Sequence, residues 1–263
     1  MVYTDEIRYN NLIGFFRVQI EKDECFVDKT IYTCDSCHHK LCAKTVSIFS
    51  SLDTEQLLKV VNLIIHKEYK KGELLVLEGE AMDSLVILNE GQAKAFRTTQ
   101  EGREQILHIF SEGDFFGERN LLRNQASAYS VEALEETHVC LIHKREFQVM
   151  IQDFPDIALK VMEALCERLD RLENTVETMG TRTVEARVSS VILEFANKYG
   201  KPHPKGLMIE LPLSREGIAN YIGLTRETVS RKMSVLQEDG VLEMIGNKKV
   251  LLLDLPALER TIE

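Results

Sequence analysis

Between about residues 45 and 150 the chain runs in short apolar stretches, among them LLVLEG, SLVILNEG, AKAFRT and ILHIFSEG, punctuated by Gly72, Gly79, Gly91, Gly102 and Gly113. Strands with turn signals roughly every 8–12 residues predict an antiparallel all-β barrel or sandwich. Glycine at the turns accepts positive φ without penalty. After Pro155 the period changes. Ala158, Met162, Leu165, Leu169, Leu172, Val176 and Met179 alternate four and three residues apart, with Glu163, Glu167, Arg168, Asp170, Arg171, Glu173 and Glu177 on the other faces. This predicts a helix over 155–180, ended at Gly180. A helix packed on its own domain is one reading of the stripe; so narrow and regular a seam suits a parallel two-chain coiled coil better.

From Thr181 the pattern VEARVSSVILEFANKYG is helical again, until Gly200, Pro202, Pro204 and Gly206 break it. Two short helices follow, over 214–221 and 225–238, joined by a turn at Gly223, and then a two-stranded wing with its tip at Gly246-Asn247-Lys248. Ser214 and Thr225 stand where N-caps belong, each just ahead of an apolar-periodic segment. The organisation is therefore α+β in four parts. Residues 1–44 form an N-terminal cysteine segment, 45–154 a β domain, 155–180 a dimerisation helix and 181–263 a winged helix-turn-helix.

The 263 residues suffice for two or three units with sizeable cores. No run of about 18 apolar residues occurs, and MVYTDEIRYNN lacks the basic-then-apolar order of a signal peptide. A cytoplasmic protein with no membrane partner is expected, in which the six cysteines are ligands or reduced thiols. The formal charge of −10 argues against general attraction to nucleic acid. It does not exclude one locally basic element, because fields act over about 8–10 Å at physiological salt.

Such an element lies at 225–238. Val229, Met233 and Leu236 share one helix face, and Glu227, Ser230 and Arg231 share the opposite one. Arg226, Arg231 and Lys232 against Glu227 make the helix locally basic. Arginine can bond guanine O6 and N7 together, glutamate can accept from cytosine N4, and serine can bond base or phosphate. A mere Glu227–Arg231 surface pair would be worth about 0.2–0.5 kcal/mol and leaves turn, caps and wing unexplained. Arg226, Glu227, Ser230 and Arg231 are the expected DNA-reading residues, on a helix that enters the major groove.

The other chemistry is in CDSCHHKLC, which gathers Cys34, Cys37 and Cys42. Thiolates this close are usually held by a metal or an iron–sulfur cluster. With His38 or His39 the trio could hold tetrahedral zinc, or it could cycle between thiol and disulfide. Cys25 reads as a spectator, Cys166 as packing beside the seam, and His108, His138 and His143 as ordinary β-domain residues. No P-loop, G-x-S-x-G elbow or H-E-x-x-H motif occurs, so no enzyme is expected.

RETVSRKMSVLQEDG, preceded by a β domain and a long helix, resembles the CRP–FNR family of bacterial transcription regulators over about residues 34–255. The resemblance implies a cyclic-nucleotide-binding-type β-roll and a homodimer on a palindromic DNA operator, with RNA polymerase as a further partner. Glu227 and Arg231 match residues that read a TGA core, Arg226 matches the CRP version and Ser230 the FNR version. Cyclic-nucleotide members carry a Gly-Glu pair and a later Arg-Ser pair that grips phosphate; here Gly117-Glu118 is present but the later pair is Ala126-Ser127. Arg119 or Arg123 is the available substitute. The FNR type holds a [4Fe–4S] cluster on four cysteines, and Cys140 resembles the distant fourth ligand beside Cys34, Cys37 and Cys42. The C-x2-C-x4-C spacing is one residue shorter in its second gap than the best-known pattern of that type. An oxygen- or redox-responsive regulator follows from the likeness, with control by thiol chemistry, zinc or a β-roll ligand as the alternative.

Overall fold

A computed structural model describes residues 46–123, 125–181 and 183–262. The expected cysteine segment, with Cys25, Cys34, Cys37 and Cys42, lies outside the described residues. After a 3-10 turn at Ser47–Phe49 comes α1 (Thr54–Val61). Its start is fixed by a capping box: Asp53 accepts from the Gln56 N–H at 2.9 Å and Gln56 Oε1 accepts from the Asp53 N–H at 3.0 Å. The β domain then runs β1 (Ile65–Tyr69), β2 (Leu74–Val76), β3 (Ser84–Glu90), β4 (Ala93–Thr98), β5 (Glu104–Phe110), β6 (Phe115–Phe116), α2 (Glu118–Arg123), β7 (Ser130–Ala133) and β8 (Thr137–His143). These strands make two antiparallel four-stranded sheets, β1-β8-β3-β6 and β2-β7-β4-β5. Leu88, Phe110, Phe116 and Val131 fill the space between the sheets. At the β3–β4 turn Gly91 takes φ +88°, and a Cβ there would meet Glu136 O at 2.5 Å. Only glycine fits.

Two helices follow, α3 (Lys144–Asp153) and α4 (Pro155–Thr181). α1, α3 and the start of α4 cover the outer face of the β1-β8-β3 sheet, where Leu85, Ile87, Cys140 and Ile142 meet Val46, Phe49, Phe147, Met150, Ile157 and Val161. α1 and α3 fall inside the stretch whose turn spacing reads as all-β, and are a departure from that reading. Their apolar faces exist to cap a sheet, a reason that lies outside their own sequence. Farther along α4 the seam is open: Met162, Leu169, Leu172 and Val176 are each more than half exposed. The Met179 side chain lies outside the described residues. Cys166, read as packing, is exposed.

The C-terminal part comprises α5 (Val184–Tyr199), β9 (Gly200–His203), β10 (Gly206–Glu210), α6 (Arg215–Ile222), α7 (Arg226–Glu238), β11 (Leu242–Ile245), β12 (Lys249–Leu252) and α8 (Leu255–Arg260). The wing is larger than the sequence suggests, because β9 and β10 extend it to a four-stranded sheet ordered β11-β12-β10-β9. Pro202 is tolerated because β9 is the edge strand. Phe195, Ile218, Val229, Met233 and Leu236 form the core of this part. Phe96, Ile106 and Ile109 of the β domain belong to the same cluster.

Candidate nucleic-acid interface and sensor site

The helix-turn-helix is assembled by local chemistry. Ser214 Oγ accepts from the Gly217 N–H at 3.2 Å and caps α6. Gly223 closes α6 in the left-handed conformation, φ +66°, and the N–H groups of Gly223 and Leu224 both donate to Ala219 O. Thr225 Oγ1 then accepts from the Thr228 N–H at 3.3 Å and starts α7. With Val229, Met233 and Leu236 buried, the opposite face turns outward: Arg226, Glu227 and Arg231 are exposed and Ser230 is half-buried. Glu227 and Arg231 form no ion pair with each other among the described residues, so both side chains keep their bonding capacity. Lys232, counted above with the basic residues, is instead tied to Glu185 of α5 at 2.8 Å. Arg226 and Arg231 supply the positive charge of that face.

Other contacts set the position of this pair of helices. Tyr221 donates to Glu194 Oε1 at 2.9 Å, joining α6 to α5, and Gln105 Nε2 of β5 donates to Tyr221 O at 3.4 Å. Burial pushes both the Glu194 carboxyl and the Tyr221 phenol up from their ordinary pKa values. A groove of about 840 Å³ separates Arg226 and Glu227 from the β4–β5 hairpin, where Arg103 and Glu104 face it.

Of the four expected cluster ligands only Cys140 lies among the described residues; Cys34, Cys37 and Cys42 do not. Cys140 is buried at the middle of β8, paired across to His66 of β1, and its Sγ is 3.6 Å from His66 Nδ1. Val46, four residues after Cys42, packs in the same apolar cluster as Cys140.

The β domain also holds polar groups that sequence reading passed over. Arg168 of α4 reaches back to Glu118 at 2.7 Å and donates to Phe115 O. Glu118 is 1% exposed. His138 pairs with Glu68 at 3.5 Å and His143 with Ser84 at 2.9 Å, as ordinary surface contacts. His108 differs: its Nε2 is buried with no partner among the described residues. Burial first, and the Arg171 charge second, push its pKa down to about 3. A histidine inside the apolar run ILHIF was the sequence signal for it. Nothing local announces Arg168–Glu118, whose members are fifty residues apart. At the position of the family's phosphate grip, Ser127 Oγ donates to Tyr129 O at 2.7 Å and Ala126 offers no guanidinium.

A β-roll, a long helix with an open apolar seam and a capped helix-turn-helix with a wing define a DNA-binding transcription regulator. Residues 66–154 match the cyclic nucleotide-binding domain and residues 186–261 the Crp-like helix-turn-helix domain. The chain belongs to the CRP–FNR family. It is 27% identical over 239 residues to the transcriptional activator protein FnrL of Cereibacter sphaeroides, covering 88% of this chain and 92% of that protein. It is 26% identical over 213 residues to the CRP-like cAMP-activated global transcriptional regulator of Mycobacterium tuberculosis, covering 81% and 95%. The structure of FixK2 from Bradyrhizobium japonicum superposes with a TM-score of 0.69 at 26% identity, over 76% of this chain and 98% of that one. The relatives are transcription regulators, and no helix among the described residues is long and apolar enough to cross a membrane.

Proposed function

We propose that this regulator is a homodimer that responds to oxygen or redox state through a [4Fe–4S] cluster held by Cys34, Cys37, Cys42 and Cys140. The observation that carries the reading is the common packing of Val46 and Cys140. Cys42 precedes Val46 by four residues, and four residues of chain span at most about 14 Å. The donor set fits such a group: four thiolates are its usual ligands. Burial of Cys140 keeps bulk water off the sulfur, and the His66 imidazole is close enough to donate a hydrogen bond to a thiolate there. When bound, the cluster would supply an oxygen-labile cross-link between the N-terminal segment and β8.

The chain's own residues carry the rest. Val46 and Phe49 pack beside Ile157 and Val161, so a restraint on the N-terminal segment bears on the start of α4. Met162, Leu169, Leu172 and Val176 offer the partner an apolar seam that water otherwise covers. Two copies present two α7 helices to successive major grooves about 34 Å apart. Linking half-sites makes the second contact effectively intramolecular, so a small change in dimerisation becomes a large change in operator occupancy. Arg226, Glu227, Ser230 and Arg231 would read half-sites with a TGA core, and RNA polymerase is the partner for activation.

Anaerobic purification followed by absorbance, iron and sulfide analysis tests this reading. A band near 400 nm with about four irons and four sulfides per chain, bleached by air and absent in Cys140→Ser, is the expected result. Colourless, iron-free protein after reconstitution would reject the cluster.

A further inference from the structure

The first turn of α5 makes polar contacts to both helices of the DNA-reading unit. Glu185 Oε2 accepts from Lys232 Nζ of α7 at 2.8 Å, and the Arg187 guanidinium donates to Ile222 O at the end of α6. Glu185 and Lys232 are both half-buried. A partly exposed pair adds little to stability. Its effect lies in direction. Val229, Met233 and Leu236 hold α7 in the core by apolar burial, which is non-directional, whereas a charge-assisted hydrogen bond fixes distance and angle together. Gln237 Oε1 accepts from the Met244 N–H at 3.0 Å and ties the far end of α7 to β11; Lys232 ties its middle to α5.

The place of Glu185 in the chain decides what the pair controls. α4 ends at Thr181, Thr183 caps α5, and Glu185 is the second residue of α5. The pair therefore refers α7 to the end of the dimer helix across a few residues of chain. The lever is short but sufficient. Arg226 stands six residues before Lys232, about 9 Å along the helix at about 1.5 Å per residue. A tilt of about 20° about Lys232 moves the reading end by about 3 Å, close to one base step of about 3.4 Å. Hydrogen bonds of about 2.7–3.2 Å do not survive a shift of that size. A twofold axis gives both copies the same displacement in opposite senses, so the tilt of α7 appears as a change in the half-site separation that a dimer fits.

We propose that Glu185 is a positioning residue that acts through Lys232 and sets the half-site spacing this regulator accepts. Lys232 serves as the anchor of the reading helix and not as a phosphate contact. Arg187 steadies the same assembly at the end of α6, next to the Gly223 turn. The base-contacting residues Arg226, Glu227, Ser230 and Arg231 keep their roles; the pair decides where they stand relative to the copies in the partner. The inference rests on the homodimer reading and is independent of the cysteines.

The test begins with an operator selected from random duplexes by the full-length wild type, kept free of air. That operator is rebuilt with its half-sites one and two base pairs farther apart, and as a single half-site, and binding is read by fluorescence anisotropy at fixed salt. Wild type is expected to prefer the selected spacing over one added base pair by at least about tenfold. Glu185→Ala and Lys232→Met should each lower that ratio to about threefold or less, with the dimer intact in sedimentation, helical circular dichroism retained and single-half-site binding within about threefold of wild type. Exchanging the charges, Glu185→Lys with Lys232→Glu, should restore a ratio of at least about fivefold. A lysine freed to touch phosphate would strengthen binding to every duplex alike and cancel in the ratio. Lys59→Ala, which breaks the surface pair with Glu55 on α1, should change nothing. An unaltered ratio in folded, dimeric Glu185→Ala and Lys232→Met, or a ratio that stays low after the charge exchange, would overturn the proposal alone. A wild type that sediments as a monomer and is indifferent to spacing would overturn the homodimer reading, and the proposal with it.

Discussion

Removing the Arg168 guanidinium should be among the most costly single substitutions in the β domain. Glu118 is 1% exposed and its Oε1 lies 2.7 Å from Arg168 Nη1, while Oε2 has no partner among the described residues. The guanidinium also donates to Phe115 O and stands 4.8 Å from the Phe115 ring. Two charges about 4 Å apart interact by about 4 kcal/mol at an effective dielectric near 20. Arg168→Met keeps the aliphatic stem but strands a buried carboxylate, at a cost of about 3–5 kcal/mol. For a chain of this size that lowers Tm by roughly 6–20 °C. Glu118→Gln removes the charge that needs the arginine, so the double variant should be more stable than Arg168→Met alone. Reversible urea unfolding followed by circular dichroism gives the four corners of the cycle. A coupling of about 2 kcal/mol or more is expected, and additivity within about 0.5 kcal/mol would refute the reasoning.

Arg231→Ala should weaken operator binding by about 1–3 kcal/mol and relax the guanine preference of the half-site, read by mobility shift on operator variants. Leu169→Glu with Val176→Glu should leave a folded monomer in sedimentation at micromolar concentration; an intact dimer would remove the seam from the interface. Gly91→Ala should cost at least about 1–3 kcal/mol in urea unfolding, from positive φ and the clash with Glu136 O. His108 carries a folded pKa pushed down from 6.5 to about 3, so its contribution is fully present above pH 6.5 and is lost as pH falls toward 3. Wild type should therefore lose about 1–2 kcal/mol more than His108→Phe between pH 7 and pH 5, at about 1.4 kcal/mol per pH unit. Equal losses would mean that water reaches Nε2.

The DNA-reading unit was legible in the sequence because local chemistry decides it. Ser214, Gly223 and Thr225 each act on backbone groups within a few residues, and the structure finds each in that role. α1 was equally within reach, since Asp53 and Gln56 form a capping box visible as D-x-x-Q. It was obscured by the strand rhythm around it. In the sequence the β9–β10 hairpin looks like a break, because Pro202, Pro204 and Gly206 discourage strands unless an edge is available. Lys232 has the sequence signature of a basic surface residue, but its partner Glu185 stands on a different helix, forty-seven residues away. His108, Glu118 and Arg168 converge only after β5, α2 and α4 have packed, so no spacing could have assembled their site. Cys140 stood out through its resemblance to a distant ligand, and its place on β8 beside His66 adds the neighbourhood.

Phe96, Ile106 and Ile109 are strand residues of the sensor domain, yet they complete the core of the reader. A fragment cut at the end of α4 would lose three apolar side chains and leave bare the surface they cover, so it would not be a free-standing module. Hydrogen exchange should protect β4, β5 and α6 as one cooperative block and not as two. Exchange of reader domains between sensors by recombination is constrained in the same way. A transplanted reader would have to bring the β4–β5 hairpin along, or find a new hydrophobic floor in its host.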